Sequence, residues 1–335
     1  MTDSSTQLID RFGRKVSYVR MSITDRCDFR CVYCMDEEMT FMPREKLLTL
    51  EEIVFLVRAF CELGVEKIRI TGGEPLVRHN VNWLLEQVGA LKHSTALKEL
   101  NVTTNGSQLP KYAKQMADAG VDRINVSLDS LQADRFRALT RTGELQAVLD
   151  GIDAAKSAGF KRIKLNAVIM KGRNDDEIID LAEFALANGL DISYIEEMPL
   201  GHVAHARSES FCSSDEVLQV LKTRFDLQSS IASTGGPSRY YQVPGSERRI
   251  GFISPHSHNF CDSCNRVRVT TEGRLLLCLG QEHSMDLRHI IRAYPGDIDR
   301  LKQAIIASMD IKPKGHDFDI KAQPVIFRHM SVTGG

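Results

Sequence analysis

Two kinds of hydrophobic pattern alternate along the N-terminal part of the chain. Segments rich in β-branched residues alternate apolar and polar side chains, which indicates strands, at residues 16–24, 67–71, 99–104, 123–128, 162–169 and 192–196. Between them, apolar positions recur at the helical period in residues 50–63, 81–91, 110–119, 132–140, 145–158 and 175–187. Glycine, the preferred residue just past a helix, follows several of these segments at Gly64, Gly120, Gly159 and Gly189. The repeated β–α units predict parallel strands joined by right-handed crossovers.

Polar side chains recur on one face of the predicted strands. They include Arg20, Arg69, Thr103, Ser127 and Lys164. A doubly wound sheet, covered by helices on both faces, needs strands that are apolar on both faces. We therefore predict an α/β fold in the form of an incomplete (β/α)6-type TIM barrel with a polar, functional interior. A doubly wound open sheet is compatible with the spacing alone, and an antiparallel sheet with a solvated face is a further alternative.

The pattern changes after about residue 199. A polar stretch at 202–210 precedes a predicted helix at 214–224 and a loop rich in Ser, Gly and Pro at 229–238. Short strand-like segments follow near 249–253, 266–270 and 275–277. We therefore divide the chain into a partial barrel, residues 1–200, and a small C-terminal α+β extension, residues 201–335, that closes the barrel mouth.

Composition and charge exclude several classes of protein. The chain has 335 residues, of which 42% are hydrophobic and 26% are charged, as in an ordinary globular protein. With 43 basic and 44 acidic residues, its net charge of -1 provides no overall field for nucleic acid or an anionic membrane. An anionic substrate must therefore meet locally placed cations. The chain has no apolar run of the roughly 20 residues needed for a membrane span, and residues 1–10 lack an apolar signal core. We expect a cytoplasmic protein.

Six of the eight cysteines fall into two triplets. Triplets suit metals better than disulfides, which need pairs. The first triplet, Cys27, Cys31 and Cys34, has the spacing C-x3-C-x2-C and directly follows the first predicted strand. Three thiolates on a four-iron cluster leave one iron open to a small chelating ligand. A structural zinc site is the alternative, but it needs a fourth ligand, and the next few residues offer none.

The second triplet, Cys261, Cys264 and Cys278, has the spacing C-x2-C-x13-C. It too would leave one iron of a cluster open, here to a substrate nitrogen or oxygen. Arg266 and Arg268 alternate on the strand that follows, so both can face a polyphosphate. A solvated strand face would also explain the two arginines. A zinc site that includes the upstream His256 and His258 is conceivable, although it would leave Cys278 unused.

The first triplet, with Tyr33 before its last cysteine, resembles the radical S-adenosylmethionine superfamily. The glycine-rich element Thr71-Gly72-Gly73-Glu74-Pro75 follows the next strand and strengthens the resemblance. The resemblance implies a [4Fe-4S] cluster on Cys27, Cys31 and Cys34 whose open iron chelates S-adenosylmethionine. One electron from the reduced cluster then yields a 5′-deoxyadenosyl radical, while the protein positions and shields the reaction.

Within this superfamily, both triplets together resemble the GTP 3′,8-cyclase family of molybdenum cofactor biosynthesis. The resemblance extends from about residue 11 to the C-terminus, and its most specific motifs lie at 24–31, 69–75, 103–106, 125–129, 264–268 and 334–335. It implies that Tyr33, Gly73, Ser127 and Met198 contact S-adenosylmethionine. It also implies GTP contacts at Arg20, Arg69, Thr103, Lys164, Arg266 and Arg268. A second [4Fe-4S] cluster on Cys261, Cys264 and Cys278 would bind the guanine.

The implied reaction removes the hydrogen from ribose C3′ and joins C3′ to guanine C8, which gives 3′,8-cyclo-7,8-dihydro-GTP. The implied partners are an electron donor such as flavodoxin or ferredoxin and a downstream cyclic pyranopterin monophosphate synthase; a homodimer is compatible with the sequence. The Gly334-Gly335 tail is implied to reach the active site, although by itself it indicates a frayed end. The chain departs from the family at Asp36, where Pro is common, and we expect only a loop difference.

Cys61 and Cys212 match no ligand role, and Cys61 is expected to pack in the core. Two other functions stay open from the residues alone. One is a different radical S-adenosylmethionine enzyme with an auxiliary cluster, such as a peptide-modifying enzyme, although such enzymes carry more C-terminal cysteines. The other is a non-catalytic zinc-binding module.

Overall fold

A single large sheet organises the chain. The computed structural model describes residues 7–36, 38–232, 234–320 and 326–334. The first strands are β1 (Tyr18–Ser22), β2 (Lys67–Thr71), β3 (Glu99–Thr104), β4 (Arg123–Ser127), β5 (Ile163–Val168) and β6 (Asp191–Ile195). The helices between them are α1 (Leu50–Glu62), α2 (Val81–Ala90), α3 (Leu109–Asp118), α4 (Ala133–Thr140), α5 (Leu145–Ser157) and α6 (Ile178–Ala187). The predicted order of strands and helices is confirmed, with ends that differ by at most a few residues.

Strands β1 to β6 lie side by side in chain order, and each pairs in parallel with the next. The antiparallel alternative is therefore wrong. Parallel pairing aligns the polar positions of neighbouring strands, as in the pairing of Arg20 with Arg69 and of Ser127 with Asn166. The carboxyl ends of all these strands consequently meet at one edge, where the loops can build a site.

The helices cover the sheet with apolar faces. Helix α1 begins at a capping box in which Thr49 and Glu52 satisfy each other's backbone amides. Its residues Leu56, Val57 and Phe60 are fully buried in the core. The helix ends where Gly64 adopts a φ of 84°, which is costly for any residue with a side chain. The same left-handed conformation follows three further helices, as the sequence predicts, at Gly120, Gly159 and Gly189.

The C-terminal part of the chain extends this sheet, and its described residues form no separate sheet. Its strands are β7 (Gln228–Ser230), β8 (Arg239–Gln242), β9 (Arg249–Ile253), β10 (Arg266–Val269), β11 (Arg274–Leu276) and β12 (Ser284–Asp286). Strand β9 pairs in parallel with β6, and β10 pairs in parallel with β1. Over the described residues, the sheet has twelve strands and is not closed, since β12 and β7 form its edges. These two pairings provide hydrogen-bond partners for the backbone N–H and C=O groups that β1 and β6 would otherwise expose at the edges of the sheet.

The C-terminal helices are α7 (Arg207–Ser210), α8 (Ser214–Lys222), α9 (Leu287–Ala293), α10 (Ile298–Ser308) and α11 (Met330–Thr333). Of these, the sequence predicted only α8, and it also missed β7, β8 and β12. Within the described ranges, no helix combines the length and apolar character that a membrane crossing requires.

Candidate active site

The loop after β1 carries the first cysteine triplet and is held against helix α4. The backbone amide of Arg30 donates to the carbonyl of Thr140 at 2.8 Å, and that of Val32 donates to the carbonyl of Leu139 at 3.0 Å. These bonds fold the loop so that Cys27, Cys31 and Cys34 line one cavity of about 950 Å³, counting its open mouth. We call this space the first cavity.

The Gly-Gly element after β2 packs directly on the cysteine loop. The amide of Gly73 donates to the carbonyl of Thr24 at 2.7 Å. A Cβ atom at Gly72 would lie 2.6 Å from the carbonyl oxygen of Thr24, and one at Gly73 would lie 2.3 Å from that of Arg26. Backbone contact this close requires glycine at both positions. The element therefore fixes the cysteine loop and presents backbone to the first cavity, whose lining includes both glycines.

Glu74 connects the ends of β2 and β3 beneath the first cavity. Its buried carboxylate accepts hydrogen bonds from the Asn105 amide at 2.6 Å, the Thr104 hydroxyl at 2.8 Å and the Leu76 amide at 2.9 Å. Burial raises the pKa of Glu74 to about 8, although these bonds oppose the shift. Glu74 belongs to the glycine-rich motif at 71–75, but the sequence indicated no role for it.

Tyr33 and Asp129 join the cysteine loop to the end of β4. The Tyr33 hydroxyl donates to Asp129 Oδ2 at 2.8 Å, while Asp129 Oδ1 accepts the Val168 amide at 2.9 Å. Burial raises the pKa of Asp129 to about 6. The pair fixes the tyrosine ring beside the three thiols, and both residues line the first cavity.

The electrostatics of the first triplet favour a bound cationic group. Burial, with a further contribution from Glu74, raises the pKa of Cys27; burial and Asp129 raise that of Cys31. Burial also raises the pKa of Cys34 to about 12. Bare thiolates are therefore unfavourable here, whereas iron ligation would stabilise them. The donor set and the adjoining glycine backbone fit a cluster with one open iron.

The second triplet lines another cavity. Cys261, Cys264 and Cys278 face a space of about 1160 Å³, counting its open mouth, which we call the second cavity. Burial opposes ionisation of Cys264, but the charges of Arg266 and Lys312 prevail and lower its pKa. The second triplet thus differs from the first, because cations lie next to it.

Five cations line the second cavity, and no carboxylate does among the described residues. The five are Arg20, Arg69, Lys164, Arg266 and Arg268. Sheet pairing explains their convergence: β1 lies between β2 and β10, so Arg20 pairs in register with Arg69 on one side and with Arg268 on the other. Such a row of buried and half-buried positive charge would be unfavourable unless an anion compensates it. The second cavity is therefore suited to a polyphosphate.

Two of these cations contact phenol groups of tyrosines. Arg69 Nε donates to the Tyr18 hydroxyl at 2.5 Å, and Lys164 Nζ lies 3.5 Å from the Tyr240 hydroxyl. Burial alone would raise the pKa of Tyr18, but Arg69, Arg20 and Arg266 lower it to about 7. Tyr18 stands two positions before Arg20 on the same strand face, a periodic signal that could have identified it from the sequence.

The two cavities share walls. Asn166, Ile195, Met198 and Met330 line both of them. The last described residue, Gly334, reaches the same region, because its carbonyl accepts a hydrogen bond from Arg268 Nη1. A Cβ atom at Gly334 would overlap Thr71, which lines the first cavity. Gly335, the other half of the predicted tail, lies outside the described residues.

The histidines proposed for a zinc site have other partners. His256 Nε2 lies 3.0 Å from the carbonyl of Glu197, and His258 Nε2 lies 2.8 Å from Asp215. In the part of the chain that the structure describes, no three Cys, His, Asp or Glu side chains converge as a single metal ion requires. A tetrahedral zinc site is therefore not supported, whereas cluster thiolates are more widely spaced because each binds a different iron.

The structure places every predicted site residue beside one of the two cavities. Tyr33, Gly73, Ser127 and Met198 line the first cavity, and Met198 lines the second as well. Thr103, predicted to contact substrate, lines the first cavity and accepts a hydrogen bond from Arg69 at 3.2 Å. No site role was predicted for Tyr18, Asn166 or Met330. Met330 gave no signal, since its approach depends on the path of the C-terminal segment.

The remaining sequence predictions concern single residues. Cys61 lies on helix α1 and is buried in the core, which confirms its expected packing role. Cys212 is also buried and lines neither cavity. Asp36 Oδ2 lies 3.8 Å from His329 Nε2, so this departure from the family motif faces the C-terminal segment.

Comparison with known proteins gives consistent results along the chain. The family model of the radical SAM superfamily matches residues 21–185, and that of Molybdenum Cofactor Synthesis C matches residues 190–318. A GTP 3′,8-cyclase of Marinobacter nauticus is 58% identical over 331 residues, which cover 98% of this chain and 99% of that protein. GTP 3′,8-cyclase 2 of Pseudomonas aeruginosa is 56% identical over 333 residues, 99% of this chain and 100% of that protein.

Among solved structures, similarity is confined to the fold. Streptococcus suis SuiB has a TM-score of 0.56 at 15% identity, and the match covers 81% of this chain and 62% of that one. Its complex with the precursor peptide SuiA has a TM-score of 0.57 at 16% identity, covering 96% of this chain and 77% of that one.

Proposed function

The chain belongs to the GTP 3′,8-cyclase family of radical S-adenosylmethionine enzymes, and on this premise we propose that it cyclises GTP to 3′,8-cyclo-7,8-dihydro-GTP, the first step of molybdenum cofactor biosynthesis. One observation carries the proposal. The two cysteine-lined cavities share Asn166, Ile195, Met198 and Met330 as walls, so groups held in each would meet in one chamber. A peptide-modifying activity is less well supported, because the chain-long identity is with cyclases.

In the first cavity, Cys27, Cys31 and Cys34 would hold a [4Fe-4S] cluster, and Tyr33, Gly73, Ser127 and Met198 would contact S-adenosylmethionine. When bound, these groups supply a carbon radical that can remove the ribose C3′ hydrogen. The chain's own contribution is orientation. Asp129 fixes Tyr33, and the backbone of Gly73 anchors the cysteine loop. A fixed geometry favours reaction at one substrate carbon over damage to nearby protein.

In the second cavity, Cys261, Cys264 and Cys278 would hold another [4Fe-4S] cluster that takes the guanine. Arg20, Arg69, Lys164, Arg266 and Arg268 would bind the triphosphate, with Thr103 orienting Arg69. Local cations are necessary, because the net charge of -1 attracts no anion from a distance. The triphosphate would fix the nucleotide so that its ribose faces the shared wall.

We further propose that β1 to β6 curve as an incomplete (β/α)6 barrel. This curvature would explain how side chains from strands as distant in the sheet as β1 and β5, such as Arg20 and Lys164, line a single cavity. Residues 1–200 would form this barrel, and residues 201–335 would form the unit that closes its mouth.

The proposed reaction also needs partners. A flavodoxin or ferredoxin would supply electrons, and a cyclic pyranopterin monophosphate synthase would consume the product. A cytoplasmic location would keep the thiols reduced.

Anaerobic turnover tests the function. The full chain, reconstituted with iron and sulfide, should contain about eight irons, as two cubane clusters require. With GTP, S-adenosylmethionine and a reductant, it should form the cyclised nucleotide, detected by mass spectrometry. Replacing Cys261, Cys264 and Cys278 by alanine should spare cleavage of S-adenosylmethionine and abolish cyclisation. Cys212→Ala is the matched control and should retain both reactions. Cyclisation without the second triplet, or one or two zinc ions in place of iron, would refute the proposal.

A further inference from the structure

A buried lysine lies among the backbone segments that carry the second cysteine triplet. Lys312 follows helix α10 and the 3-10 turn Met309–Ile311, and its side chain points inward, leaving the residue 1% exposed. Lysine is rarely buried to this extent unless its charge is compensated. Lys312 belongs to no motif of the sequence and lines neither cavity.

The Lys312 ammonium contacts the backbone next to this triplet and one of its sulfurs. Nζ donates to the carbonyl of Leu277 at 2.7 Å, directly before Cys278, and to the carbonyl of Arg266 at 3.2 Å. It also lies 3.9 Å from Cys264 Sγ. One ammonium therefore joins the two segments that carry Cys264 and Cys278.

No carboxylate in the described ranges forms an ion pair with Lys312. Its partners are two neutral carbonyls and one sulfur. The thiolates of the second triplet therefore supply the negative charge that compensates the Lys312 ammonium. In agreement, Lys312 acts to lower the pKa of Cys264, together with Arg266 and against the effect of burial. It acts in the same direction on Cys278, where burial prevails and raises the pKa.

The first triplet has different surroundings. Among charged side chains, Glu74 acts on Cys27 and Asp129 acts on Cys31, and both oppose the thiolate. The pKa of Glu74 is about 8, so its carboxyl group is largely protonated at neutral pH, and the Arg30 guanidinium donates to the carbonyl of Cys27. The reduction potential of an iron–sulfur cluster depends on net charge and on hydrogen bonds to its sulfurs. A fixed cation beside a cluster favours the added electron, whereas nearby anions oppose it.

We propose that Lys312 is a positioning residue of the second cluster, whose buried ammonium holds the backbone beside Cys264 and Cys278 and raises the reduction potential of that cluster. The inference rests on the proposed function, because it needs a cluster on the second triplet. It extends that function by assigning the second cluster a fixed, buried positive charge from this chain, which would make the cluster easier to reduce.

The test isolates the second cluster. The background is the full chain with Cys27→Ala, Cys31→Ala and Cys34→Ala, reconstituted anaerobically with iron and sulfide. It should bind about four irons. The midpoint potential of this cluster is then measured by a redox titration followed by electron paramagnetic resonance. Lys312→Gln should shift the potential to a more negative value, by more than replicate titrations differ, and Lys312→Arg should restore most of it.

Lys314→Gln is the matched control, since it removes the same charge from an exposed side chain two residues away. It should leave the potential unchanged. Loss of iron from Lys312→Gln with retention in Lys312→Arg would also support the proposal, because charge distinguishes the two variants. Loss of iron from both, an unchanged potential in Lys312→Gln, or an equal shift in Lys314→Gln would overturn the inference and leave the cyclase function standing. A background chain that binds no iron would refute the two-cluster function and this inference with it.

Discussion

Arg69 Nε donates a hydrogen bond of 2.5 Å to the hydroxyl of Tyr18, and this contact links the cationic wall of the second cavity to an ionisable phenol. Burial opposes ionisation of Tyr18, but Arg69, Arg20 and Arg266 lower its pKa to about 7. Because this pKa lies below the ordinary value of 10.0, ionisation stabilises the folded chain as pH rises above about 7. That contribution is lost as pH falls through about 7.

Tyr18 should make GTP binding depend on pH. Above pH 7 the phenolate cancels one positive charge of the cavity, so affinity for GTP should fall with rising pH, by at most about tenfold per pH unit. Tyr18→Phe should remove this component, which anaerobic calorimetry between pH 6 and pH 9 can measure. Tyr294→Phe, which changes a phenol that is 44% exposed, should keep the wild-type profile. Identical profiles for Tyr18→Phe and the wild type would contradict the assignment.

Arg14 should determine the stability of the second cysteine site. Its guanidinium pairs with buried Asp10 at 2.6 Å and donates to the carbonyls of Cys261 at 2.7 Å and of Pro313 and Lys314 at 2.6 Å. Breaking a buried ion pair costs about 3–5 kcal/mol. Arg14→Gln should therefore lower the free energy of unfolding by roughly that amount, measured by denaturant titration of the chain without clusters.

Arg14→Lys should not restore stability, because an ammonium cannot reach acceptors arranged around a planar guanidinium. Lys114→Gln is the control, since its ion pair with Asp118 is exposed on helix α3. Its effect should stay below about 0.5 kcal/mol. Equal effects of Arg14→Gln and Lys114→Gln would show that the Arg14 contacts do not hold this site.

Gly334 should tolerate no side chain. It has a φ of 78°, and a Cβ atom would overlap Thr71 Oγ1, so Gly334→Ala must displace the tail. Loss of the contact with Arg268 should lower kcat for cyclisation by about tenfold or more, about 1.4 kcal/mol in the barrier. Gly296→Ala introduces similar backbone strain at a φ of 79° with nothing within 4 Å. It should keep full activity, and unchanged kcat in Gly334→Ala would exclude a role for the tail position.

Arg266 should contribute more to the binding of GTP than to the binding of S-adenosylmethionine. It lines the second cavity only, and its guanidinium lies 4.9 Å from the ring centroid of Phe260. Loss of a hydrogen bond to a charged group costs about 1.5–3 kcal/mol, so Arg266→Ala should weaken GTP binding by roughly 10- to 150-fold. Binding of S-adenosylmethionine, measured in parallel by equilibrium dialysis, should change little. Arg274→Ala is the control, because this arginine lines neither cavity. Equal losses for both ligands would contradict the assignment.

The sequence by itself determined the elements and the chemistry. Period-2 and helical patterns gave the strands and helices of the N-terminal part, because side-chain alternation directly reflects which face is buried. The alternation also placed Arg20, Arg69 and Lys164 on one face, and the spacing of the cysteines indicated metal binding. These signals are local, so they can be read without knowing the neighbours of each strand.

Only the tertiary structure decided which distant segments meet. The pairing of β10 with β1, which puts Arg268 in register with Arg20, joins residues far apart in the chain. No local pattern indicates such pairings, and short strands such as β12 carry too few residues to show a period. The burial of Lys312 and the position of Met330 between the two cavities also depend on the path of the whole chain. The burial of a side chain is set by how all the neighbouring segments pack around it, which no local pattern shows.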